Sequence, residues 1–149
     1  MSYSDLKINS NSKFLKIEAG SPHDIRILNA IPEIAYKHAR PGAAPITCNG
    51  ASCMMCAGGD SPIQKFLTNV YDHNTEKILI WEFGGGVAKQ LKAIDATLKE
   101  DKSEITQIDL RVDCSGSGKD KRYNVTPRIN SKPVPLGLKM HKLTEDIPF

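Results

Sequence analysis

The sequence has no uninterrupted apolar run approaching the ~20 residues that a membrane-spanning helix needs. Its opening, MSYSDLKINSNSK, holds no apolar secretory segment. Both absences lead us to expect a cytoplasmic protein with no membrane partner. Aromatic residues are few, 6% with a single Trp, so any stacking function must rest on a handful of rings. No charge sign dominates either: the net charge of +3 permits a polyanionic partner without demanding one. There is no Ser/His/Asp set at useful spacing and no acidic pair of the two-metal nuclease kind, so we expect no enzyme. Cysteine is scarce too, with four in 149 residues, yet three of the four sit within nine positions.

Those three, in YKHARPGAAPITCNGASCMMC, follow a histidine in the order His38, Cys48, Cys53, Cys56. Thiolate and imidazole are the ligands that tetrahedral Zn²⁺ prefers, and Cys-x-x-Cys lets one turn present two sulfurs to one ion. In a reducing compartment such a cluster reads as metal rather than disulfide. Pro41, Gly42, Pro45, Asn49 and Gly50 make the connection irregular, so the metal would supply order that packing does not. Four protein ligands leave no open position for water, which assigns the zinc to structure. A zinc deaminase would carry His-x-Glu here, but Ala39 and Arg40 follow His38. His38 is the ligand for which Cys114 or His73 are alternatives.

The length suits one compact domain, expected over residues 13–130 between a polar arm (1–12) and a C-terminal linker with a short tip (131–149). His23–Ala30 and Ile34–Ala39 read as strands. Asp60-Ser61-Pro62 reads as the start of a short helix. Phe66–Tyr71 and Lys77–Phe83 form a hairpin around DHNTE. Val87, Leu91, Ile94 and Leu98 recur as the apolar stripe of a helix ending near Lys99. Ile105–Cys114 alternates cleanly, and Arg122–Ile129 closes the sheet. The expected architecture is mainly β: a single OB-like Greek-key barrel with one longer helix and a zinc-bearing loop.

Single-stranded nucleic acid needs rings for bases and Lys or Arg for phosphates. Tyr36, Tyr71, Trp81, Phe83 and Tyr123 fall on expected strands, each near a base among Lys37, Lys65, Lys77, Lys89 and Arg122. We take Tyr36, Lys37, Arg40, Tyr71, Trp81, Arg111, Lys119, Lys121, Arg122 and Tyr123 as the candidate DNA-binding set. The loop SGSGKDKR is not a phosphate-binding loop, because Asp120 rather than Ser or Thr follows Lys119. It reads as a basic hairpin tip.

The His-Cys-Cys-Cys order followed by MCAGGDSPIQKFLTNVYD, with KILIWEFGGGVAKQLKAI and IDLRVDCSGSGKDKRYNVTPRI further on, resembles the zinc-containing single-stranded-DNA-binding, helix-destabilising proteins of tailed bacteriophages. That resemblance covers residues 13–130. It implies an OB fold, a structural zinc on His38, Cys48, Cys53 and Cys56, and a groove of aromatic and basic side chains that coats DNA in replication, recombination and repair. The C-terminus TEDIPF is similar to the tip of bacterial single-stranded-DNA-binding proteins, which implies that Asp146, Ile147, Pro148 and Phe149 dock on replication or recombination enzymes. Residues 1–12 hold Lys7 as their one base, unlike the basic arm of the larger phage members. The competing expectation is a zinc-stabilised protein-interaction module, a transcription or recombination accessory, in which the aromatics are core.

Overall fold

A computed structural model describes residues 13–40, 43–48, 54–59, 61–116 and 121–143. Seven strands among them make one antiparallel sheet: β1 (His23–Ile27), β2 (Glu33–Arg40), β3 (Ala43–Thr47), β4 (Ile63–Asp72), β5 (Lys77–Phe83), β6 (Asp109–Ser115) and β7 (Arg122–Pro127). The neighbours run β3-β2-β4-β1-β6-β7, and β5 takes the other edge of β4. A four-residue helix α1 (Met54–Ala57) lies in the cysteine loop, and the main helix α2 (Gly85–Glu100) connects β5 towards β6.

The ten-residue β4 is the axis of the sheet. One of its edges carries two strands in succession, β2 along residues 63–67 and β1 along residues 70–72. Between them the Asn29 side chain replaces a strand: its Oδ1 accepts from Asn69 N (2.7 Å) and Asn69 Nδ2 (3.1 Å). That substitution ends β1 at Ile27, short of the expected Ala30. Asp72 shapes the following turn by accepting from Asn74 N and Thr75 Oγ1.

On the inner face Ile25, Ile27, Val70, Leu79, Trp81, Phe83, Leu110, Val112, Cys114 and Val125 pack around Val87 and Leu91 of α2. The stripe predicted for the helix is therefore the face that meets the core. Two expectations need correction. The sheet does not close into a barrel: among the described residues no pairing joins β5 to β7, and α2 reaches β7 at the edge of the open seam. Gln90 makes that join, donating from Nε2 to the Tyr123 carbonyl and accepting from Val125 N, both at 2.8 Å. Second, Ser61 and Pro62 do not open a helix. They lead into β4, whose Ile63–Leu67 segment is drawn into the sheet by its ladder with β2.

The outer face of β4 and β5 is covered as well. Leu67 and Ile80 pack with Leu143, Phe14 and Ala35, and Phe14 bridges Ile80 on the free edge of β5. The segment expected to be a linker meets the sheet through Lys132, His141 and Leu143, while Leu136 between them is exposed. Lys132 N donates to Asp109 Oδ2, and Arg26 Nη2 donates to the Lys132 carbonyl. His141 is held by Asn69. Residues 1–12 and the tip residues Asp146, Ile147, Pro148 and Phe149 lie outside the described residues. No helix among the described residues is long and apolar enough to cross a membrane.

Candidate metal centre and basic cleft

The β2–β3 hairpin and α1 bring three of the four expected ligands together. His38 lies on β2 opposite Ile46. Cys48 follows β3 and is fixed by its N–H bond to the Tyr36 carbonyl (2.6 Å). Cys56 comes from α1. Ligand atoms of His38, Cys48 and Cys56 all lie within 4.8 Å of one another. The Sγ atoms of Cys48 and Cys56 are 3.5 Å apart, and Cys56 Sγ is 3.4 Å from His38 Nε2. Tetrahedral coordination at ~2.3 Å for sulfur and ~2.0–2.1 Å for nitrogen places ligands ~3.8 Å (S to S) and ~3.6 Å (S to N) apart. The observed spacings are close to that. Both cysteines are unbridged, and His38 is fully buried. The cluster can hold a metal ion. Cys53 lies outside the described residues. The two alternative ligands are elsewhere: Cys114 is buried in the main core, and His73 pairs with Asp109 through Nε2 at 2.9 Å.

The candidate DNA-binding residues divide by burial. Tyr36 is 48% exposed. Ile34, 51% exposed, lies two residues before it on the same face. Tyr71 and Trp81 are core residues, each 4% exposed; Tyr71 lies edge-on to His73, and Trp81 packs on Phe83. Neither offers a ring face to a base from the surface. Lys37 is buried and bonded to Glu82 Oε1 at 2.9 Å, so it is not a free phosphate contact. Arg111 is engaged by Asp24 at 2.9 Å. That bond raises the guanidinium pKa further and holds the Asp24 carboxyl low. Lys121 and Arg122 are exposed at the start of β7, and Tyr123 is half-buried. Lys119 lies outside the described residues, as does the side chain of Arg40.

Lys121 and Tyr123 share a cleft of about 620 Å³ at the β5–β7 seam with Lys16, Lys65, Phe14 and Phe83. Trp81 lines it too, and among the described residues Glu18 and Glu82 are its carboxylates. Lys65 lies against Gly84, where a Cβ would stand 3.5 Å from its Nζ. Lys16 and Phe14 escaped the sequence reading because the segment carrying them reaches the seam only through the pairing of Phe14 with Ile80. A second, more apolar pocket of about 320 Å³ lies between α2 and the Phe66–Phe83 stack.

No known family, characterised protein or solved structure matches the chain.

Proposed function

We propose that this protein binds single-stranded DNA without sequence preference, in the replication or recombination of a bacteriophage. The observation that carries the reading is the seam cleft, where Lys16, Lys65 and Lys121 meet the half-buried rings of Tyr123 and Phe14. Ammonium groups follow a phosphate backbone, and rings accept bases of any identity. An OB-like origin of the sheet belongs to the same proposal. It is supported by five antiparallel strands, β5-β4-β1-β6-β7, around one core. Zinc is the metal we assign to His38, Cys48 and Cys56, with Cys53 as fourth ligand, because the set is thiolate-rich. Its chemistry there is structural: it fastens the hairpin that carries Tyr36. The Asp146–Phe149 tip is proposed to recruit partner enzymes within the cytoplasm of the infected host cell.

The test is a fluorescence titration with labelled oligo-dT at two salt concentrations. Binding that falls steeply with salt, and a loss of roughly tenfold or more on Lys121→Glu with Tyr123→Ala, supports the reading. The second reading, a protein-interaction module, is favoured by the exposed Ile34, Tyr36 and Ile63. It gains if oligo-dT is not bound while the metal is present.

A further inference from the structure

Lys37 presents a problem that the cleft resolves. It is 8% exposed, and a buried ammonium group requires compensation. Its partner Glu82 lines the cleft, whereas Lys37 does not. The register explains how they meet. Lys37 pairs with Ile63 and Glu82 with Leu67. Residues 63 and 67 share one face of β4, so both side chains lie on that face and bridge along it. His38, next in the chain, turns to the opposite face and joins the metal cluster.

We infer that Lys37 is a positioning residue of the cleft: it neutralises Glu82 from behind and thereby keeps the cleft attractive to a polyanion. Among the described residues, three lysines and two carboxylates line this space. With Glu82 paired, Glu18 is the carboxylate left among the described residues to oppose Lys16, Lys65 and Lys121. Without Lys37, Glu82 would hold its negative charge among those lysines and repel a phosphate entering beside them. The sequence reading gave Lys37 a direct phosphate contact; its geometry gives it an indirect one.

This inference rests on the single-stranded-DNA reading, and the experiment separates the two. Oligo-dT affinity and its salt dependence are measured for wild type, Glu82→Gln, Lys37→Met and the double variant, with thermal melts to establish folding. Glu82→Gln keeps an oxygen for Lys37 and removes the charge, so it is the variant least disruptive to the fold. Its affinity should rise roughly three- to tenfold, the size of one screened charge at close range. Lys37→Met should weaken binding by a similar factor, and the double variant should return to near the wild-type value. A Glu82→Gln affinity equal to wild type overturns the assignment. So does a double variant as weak as Lys37→Met with a shallower salt slope, since that result makes Lys37 a direct phosphate ligand. Wild-type protein that does not bind oligo-dT overturns both the assignment and the reading beneath it.

Discussion

Asn69 and the backbone of His141 satisfy one another completely. The His141 N–H donates to Asn69 Oδ1 at 2.9 Å, and Asn69 Nδ2 donates back to the His141 carbonyl at 3.0 Å. Asn69 is 1% exposed, so this exchange takes place out of water and fixes the last described stretch of chain over β4. Asn69→Ala removes both bonds to the half-buried His141 backbone and should cost about 1–2 kcal/mol. Urea unfolding measures the loss, and limited proteolysis should cut faster between Pro133 and Met140. A neutral substitution would make the segment the loose linker that its prolines and glycine suggest.

Metal content follows from the cluster geometry. Purified protein should carry about one zinc per chain, and replacement by Co²⁺ should give the absorption of tetrahedral thiolate coordination. Cys48→Ser, Cys56→Ser and His38→Ala should each lose the metal. Cys114→Ala should keep it, because Cys114 belongs to the core. Metal analysis of the four variants tests the three ligands brought together in the structure and excludes or admits Cys114.

Acid should loosen the protein through two carboxylates. Both Asp24 and Asp109 titrate below the ordinary value of 3.8. For Asp24 the Arg111 hydrogen bond dominates over burial. For Asp109 burial pushes upward, but the Lys132 N–H, His73 and Arg26 outweigh it. A depressed folded pKa contributes stability that is complete above the ordinary value and disappears as the pH falls through the folded one. Denaturation midpoints should therefore hold level down to about pH 5 and decline below about pH 4. Asp24→Asn and Asp109→Asn should each flatten that decline, and an unchanged slope in both variants refutes the account.

Gln90 joins the helix to a strand edge. Gln90→Ala removes both bonds to β7 and should cost about 1–2 kcal/mol. Because one of those bonds holds the Tyr123 carbonyl, oligo-dT affinity should fall with it. Calorimetry and the titration above measure the two effects separately.

What the sequence discloses is what local pattern encodes. Val87, Leu91 and Ile94 announce α2 by their spacing, and the alternation through Leu110, Val112 and Cys114 announces β6. The His38, Cys48 and Cys56 grouping is legible because ligand chemistry restricts the residue types. The buried state of Trp81 and Tyr71 is not legible, because a strand's own pattern does not say that both faces of β4 and β5 are covered. The outer cover, over Leu67 and Ile80, arrives from Phe14 and Leu143, near opposite ends of the chain. The open seam is equally silent, since a glutamine on a helix gives no sign that it will pair with a strand.

Because β4 carries β1 and β2 in tandem along one edge, with a side chain rather than a strand at the junction, the protein should open in two units of unequal depth. The β2–β3 wing carries His38 and Cys48 of the cluster that can hold a metal ion, while β1, β5, β6, β7 and α2 share the main core. Amides of residues 63–67 should exchange by local opening that tracks metal occupancy, and those of residues 70–72 by global unfolding. Losing the metal would cost the molecule a wing and leave the body standing.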